Sequence, residues 1–147
     1  MKKVFIILLT AVAGFTACKG PAGRDGKTRA FTILGNAWEL IGGPNEIGSY
    51  YSCLVEFPEL DDVIYNEGII VCYYEHLDEL GDLVLSPMPY STYDMYTNDR
   101  DEEVQVSINY SYTVSSGYIE FRLAYSDFYT SDFPPPSKCF FRVSVVY

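Results

Sequence analysis

The chain is poor in the residues that most enzymes and nucleic-acid binders depend on. It has one histidine and one tryptophan, and its ten Lys+Arg are outnumbered by twenty Asp+Glu, for a formal net charge of −10. Such acidity repels phosphate backbones, so no nucleic-acid partner is expected. Any Ser-His-Asp or Cys-His set must use His76, which sits in the polar stretch Glu75-His76-Leu77-Asp78-Glu79. That context reads as an exposed loop entry rather than a general base. Cys53, Cys72 and Cys139 are too widely spaced for the usual zinc motifs, so neither a metal nor another cofactor is expected. Long hydrophobic runs are also missing. The longest, Val4 to Val12, is interrupted by Thr10 and is far shorter than the ~20 residues that span a bilayer. What is abundant is apolar surface, 48% of residues, and tyrosine, fourteen in all. That is too apolar for disorder, and 147 residues suit one modest domain.

The N-terminus carries the clearest message. Met1-Lys2-Lys3, the apolar stretch after it and the small residues leading to Ala17-Cys18 have the parts of a secretory signal. A cysteine directly after Phe15-Thr16-Ala17 resembles a bacterial lipobox, with Phe15 where that pattern usually has Leu. The expectation is that residues 1–17 are a lipoprotein signal peptide and that Cys18 becomes the lipid-attachment residue. Several acyl chains on one residue exceed the two signals that stable anchoring requires. Ordinary signal cleavage, leaving Cys18 a free thiol, is the alternative.

Residues 18–29, Cys-Lys-Gly-Pro-Ala-Gly-Arg-Asp-Gly-Lys-Thr-Arg, hold two Gly-X-Y triplets and no apolar periodicity. A collagen triple helix needs that period over a long run, so this stretch reads as a flexible polar tether. It is also basic. Residues 1–29 contain six of the ten Lys+Arg and one of the twenty Asp+Glu, which leaves the body, 30–147, with four against nineteen, or −15. A cationic tether and a self-repelling acidic domain suit a soluble body held near a surface.

The order of parts (lipobox cysteine, Gly20-Pro21-Ala22-Gly23-Arg24-Asp25-Gly26, then a Tyr-rich β domain) resembles the small collagen-like lipoproteins of Bacteroidetes, with Trp38 and Pro89-Tyr90 echoing aromatic and Pro-Tyr positions of that group. The resemblance implies an outer-membrane or cell-surface lipoprotein, lipid-anchored in the cell envelope, in a group with no general assigned activity. Lys19 is not the Asp that favours inner-membrane retention in enteric bacteria. The acidic residues that usually mark surface export are absent after Cys18, which leaves the periplasmic and surface faces both open.

The body reads as strands throughout: about 30–41, 50–57, 68–75, 82–86, 103–115, 117–126 and 138–147, separated by Gly-, Asn-, Asp- and Pro-rich turns. About seven short strands with regular punctuation predict an all-β, antiparallel β-sandwich. The best-specified element is a hairpin. Val104, Val106, Ile108, Tyr110, Tyr112 and Val114 alternate with polar residues, as do Ile119, Phe121, Leu123 and Tyr125. A two-residue loop at Ser116-Gly117 puts both apolar sets on one face, pairing Val114 with Ile119 and Tyr112 with Phe121. The other face then sets Thr113 against Glu120 and Ser111 against Arg122, and it should be solvated. A three-residue loop would oppose apolar to polar residues.

Chemistry-bearing motifs are scarce in the body. Asn98-Asp99-Arg100-Asp101-Glu102-Glu103 offers carboxylates to calcium but lacks an EF-hand glycine and includes an arginine, so it reads as a solvated acidic turn. No spacing singles out a carboxylate pair for glycoside hydrolysis. Tyr90, Tyr93 and Tyr96, at spacing three around a proline-rich loop, form the candidate binding patch. Cys53, Cys72 and Cys139, each in an apolar strand context, are expected to be buried thiols, with Cys53–Cys72 on adjacent strands the one pair close enough to consider bridging. The expected function is a non-enzymatic binding or structural β-domain of the outer envelope, membrane-bound through its lipid, with a protein or glycan as ligand. A glycan-binding accessory lipoprotein of an uptake system, or a small secreted hydrolase, are the alternatives.

Overall fold

Strict alternation builds the hairpin on which the other strands assemble. The computed structural model describes residues 26–97, 100–126 and 133–146. In it β7 (Glu103–Ser115) and β8 (Tyr118–Tyr125) pair with Val114 opposite Ile119, Tyr112 opposite Phe121, Tyr110 opposite Leu123 and Ile108 opposite Tyr125. This is the register that alternation demands, and Ile119, Phe121 and Leu123 are fully buried as a result. Gly117 supplies the left-handed turn position at φ +79°.

The remaining strands are β1 (Lys27–Leu34), β2 (Glu39–Ile41), β3 (Tyr50–Glu56), β4 (Ile69–Leu77), β5 (Leu83–Pro87), β6 (Tyr90–Thr97) and β9 (Lys138–Val146). They form two antiparallel sheets, β1-β9-β4-β5 and β2-β3-β8-β7-β6, packed as an all-β sandwich. Nine strands replace the seven expected, for two local reasons. The segment 30–41 is broken by a 3₁₀ turn at Gly35–Ala37, where the chain leaves one sheet for the other. A Cβ on Gly35 would come within 3.1 Å of the Pro136 carbonyl oxygen, so the backbone approaches closely at this crossing. The second addition, β6, follows the cis Met88-Pro89 bond and pairs along its whole length with β7. The sheet also begins earlier than expected, at Lys27, so residues 27–29 belong to β1 and not to the tether.

The sheets meet through aromatic contacts. Phe121 of one stacks on Phe141 of the other with ring centroids 4.2 Å apart, and Trp38 presents an edge-on contact to Phe141 at 6.4 Å. Burial of side chains this size stabilises by roughly 2–3 kcal/mol each. One end of the sandwich is plugged by Phe57, Leu60 and Ile64, the last carried on a short helix, α1 (Asp62–Glu67). Asp61 caps that helix, its carboxylate accepting from the Ile64 amide at 2.8 Å. The Gly117 turn clasps this plug, its carbonyl accepting from Phe57 N and its amide donating to the Leu60 carbonyl. The described core runs from Ile33 to Val145.

Candidate functional site

The residues singled out by sequence fall in different places. Cys18 lies outside the described residues, as do Asn98 and Asp99 of the acidic turn. Tyr90, Tyr93 and Tyr96 are not on a loop but on β6. A strand turns successive side chains to opposite faces, so a spacing of three separates Tyr90, half-buried between the sheets, from Tyr93, which is 65% exposed on the outside. Tyr90 and Tyr93 therefore share no surface. Among the described residues no group of three or more His, Cys, Asp or Glu is gathered closely enough to hold a metal ion.

The cysteines are three buried free thiols. The expected neighbourhood of Cys53 and Cys72 is corrected: β3 and β4 belong to different sheets, and Cys53 pairs with Phe121 while Cys72 pairs with Val143. Burial pushes the thiols of Cys72 and Cys139 up to about 12 and raises that of Cys53, so none supplies a thiolate near neutral pH.

His76 is likewise a strand residue. It lies on β4 opposite Val84 of β5 and faces inward with Cys72 and Tyr74. Its ring stacks on Tyr74 at 5.6 Å and on Tyr90 at 5.0 Å, and Tyr74 continues the stack to Tyr110 at 4.3 Å. His76 Nδ1 lies 3.2 Å from the Leu77 carbonyl oxygen and Nε2 lies 2.9 Å from Ser86 Oγ. A carbonyl only accepts, so the neutral tautomer carries its proton on Nδ1, and Nε2 accepts from the Ser86 hydroxyl. A serine bonded to an oriented imidazole has the outline of an activated nucleophile. Here, however, Ser86 is held in mid-strand opposite Tyr74, and the ring packs at one corner of a triangle with Tyr74 and Tyr90, whose own centroids are 5.3 Å apart. The pair forms the polar edge of an aromatic cluster of Tyr74, Tyr90 and Tyr110.

The two outer faces differ, although the five-stranded sheet too exposes Ile41, Leu54, Tyr93, Met95 and Tyr118 on its outer side. On the five-stranded sheet the outward residues of β3, β7 and β8 form a polar network. Glu120 accepts from Arg122 at 2.7 Å, Ser52 at 2.7 Å and Thr113 at 2.8 Å, and Arg122 lies over the Tyr50 ring at 5.2 Å. These partners, Arg122 first, hold the Glu120 carboxyl down at about 2. Clean alternation along β7 and β8 announced this solvated face.

The outer face of the four-stranded sheet is apolar. Phe141, Cys139 and Val143 of β9 point into the core, so Phe140 and Arg142 point out, and the register carries that face across to β1, β4 and β5. Leu34, Ile69, Leu77, Leu83, Leu85 and Phe140 are all on it and between 37% and 66% exposed. Its one acid, Glu75, is bridged to Arg142 at 2.7 Å. No sequence motif pointed here, yet a signal existed. Ile69-Ile70-Val71, Leu83-Val84-Leu85 and Phe140-Phe141 are continuous apolar runs, the pattern of strands that want cover on both faces. This surface can make hydrophobic contact over an extended flat area and is the candidate functional site. No family model, curated protein or solved structure matches the chain.

Proposed function

We propose that this chain is an outer-envelope lipoprotein whose sandwich is a non-enzymatic binding module, held to the membrane through acylated Cys18. The observation that carries the reading is the order of parts. A basic, then apolar, then small-residue leader ends at Ala17-Cys18, and only residues 19–26 separate that cysteine from β1. Eight residues reach at most about 28 Å at ~3.5 Å per residue, so acylated Cys18 would keep the sandwich against the membrane surface. An exposed apolar sheet face on a body of this acidity supports binding as the role, because large apolar patches on otherwise charged domains mark contact sites.

The test is Cys18→Ser in the native host, read by fractionation and by incorporation of labelled palmitate. The parent chain should be labelled and membrane-bound, and the variant should be unlabelled and either soluble or left uncut. A processed Cys18→Ser chain that still fractionates with the membrane would place the anchor elsewhere.

A further inference from the structure

We infer that the outer face of the β1-β9-β4-β5 sheet docks on an anionic lipid surface, so that the anchored domain lies flat rather than standing off the membrane; this rests on the reading of Cys18 as the anchor. Three features of the molecule select a lipid surface as the occupant.

The first is where the chain enters. The tether runs directly into β1, which is the edge strand of this sheet. Its eight residues tie that edge, and no edge of the other sheet, to the acylated cysteine. The second is charge. Eight basic residues follow Cys18: Lys19 and Arg24 lie on the tether, Lys27 starts β1, Lys138 and Arg142 turn to the outer face on β9, and Arg29, on the core-side register of β1, is paired with Glu59 at 3.2 Å. Of the described acids, only Glu75 is on the outer face, and Arg142 neutralises it. The other described acids of the body lie off this face, on the other sheet, α1 and the loops. Anionic headgroups would thus meet Lys138 on the face and the basic tether where it enters β1, on a body that otherwise carries −15 over residues 30–147. The third is shape and chemistry. Rows such as Leu77 beside Leu83, and Phe140 beside Glu75 beside Leu85, form a flat apolar field with the Glu75–Arg142 pair inside it and Lys138 beside Leu34 near its β1 edge. That is the layout of an interfacial face, apolar side chains entering the acyl boundary and Lys/Arg meeting headgroups. A second copy of the chain is less suited to this surface, since face-to-face pairing would bring two strongly acidic bodies together.

The experiment uses the buried state of the native thiols, which leaves an introduced surface cysteine as the one reactive site of the body. Leu85→Cys, on the docking face, and Tyr93→Cys, on the outside of the other sheet, are each labelled with an environment-sensitive dye in the lipidated chain. Both are reconstituted in vesicles of phosphatidylethanolamine and phosphatidylglycerol containing brominated lipid. The dye at 85 should be quenched and that at 93 should not. A second measurement is independent of Cys18: the unlipidated chain from Lys19, whose described core runs from Ile33 to Val145, is sedimented with the same vesicles. It should bind more strongly as phosphatidylglycerol rises and less as salt rises, and Leu83→Asp with Leu85→Asp should lower partitioning about tenfold. Emission of the buried Trp38 verifies that each variant is folded. A dye at 85 that stays in water, or sedimentation unaffected by the two aspartates, overturns the inference. Shielding of 85 without bromine quenching, together with a doubled mass by light scattering, overturns it in favour of a second copy. Loss of palmitate labelling with intact vesicle binding would sink the anchor alone and leave the docking face standing.

Discussion

Two side chains in the body, Cys139 and Glu120, show how burial and partners decide reactivity one residue at a time. Cys139 is 1% exposed on β9, and burial holds its thiol up near 12 even though Tyr110 hydrogen-bonds it. Cys72 is in the same state, and Cys53 shares its direction. A thiol reagent should therefore find nothing in the native body and three thiols after denaturation. Fast native labelling of any of the three would mean that its strand opens readily. Glu120 is the reverse case, a carboxylate made easier to ionise by Arg122, Ser52 and Thr113, which outweigh its partial burial. Its folded pKa lies below the ordinary carboxylate value, so its contribution is fully present above about pH 5 and is lost as pH falls through about 2. Solvent at this open face screens the pair, which limits the contribution to about 1 kcal/mol at neutral pH. Glu120→Gln should cost that much at neutral pH in urea unfolding, and its difference from the parent should shrink as the solution is acidified. A difference independent of pH would contradict the ionic origin.

Secondary elements were legible where the sequence carried a period and opaque where it did not. β7 and β8 alternate without interruption, so their register and their turn could be read directly, and the turn makes a specific demand. Gly117 sits at φ +79° with open space where a side chain would stand, so Gly117→Ala should lose about 1 kcal/mol through backbone strain alone. Thermal or urea unfolding reads that loss, and an unchanged midpoint would show that the turn relaxes at no cost. β6 was missed because it is an edge strand with mixed faces. Tyr90, Thr92 and Asp94 point inward while Tyr93 and Met95 point out, and polar residues are tolerated on both sides where only one neighbour pairs. α1 was missed because six residues are too few to show a helical period; its signal is the Asp61 cap and a single buried Ile64. His76 was misread because Glu75, Asp78 and Glu79 lend it a loop's composition, while its place is set by long-range stacking on Tyr74 and Tyr90. The candidate face was hidden for a related reason. Apolar runs such as Ile69-Ile70-Val71 announce a strand with two apolar faces, but only the pairing with β9 reveals which residues point out and that nothing of the described chain covers them.

At the scale of the whole molecule, the sandwich divides its labour between two outer faces. The five-stranded sheet centres its outer face on a hydroxyl and charge network, with Leu54 and Tyr93 among the apolar residues around it, and the four-stranded sheet presents a largely apolar face beside the basic N-terminal segment. The aromatic cluster of Tyr110, Tyr74, His76 and Tyr90 lies between them, and the Phe121–Phe141 stack joins one to the other. Such a body needs a reason to sit beside a surface, and the segment before β1 supplies it if Cys18 is the mature first residue. The most direct measurement is the intact mass of the N-terminal peptide of the protein taken from the cell envelope. The expected result is a chain that begins at Cys18 and carries acyl mass on that residue. An unmodified Cys18, or a first residue elsewhere, would contradict the lipoprotein reading.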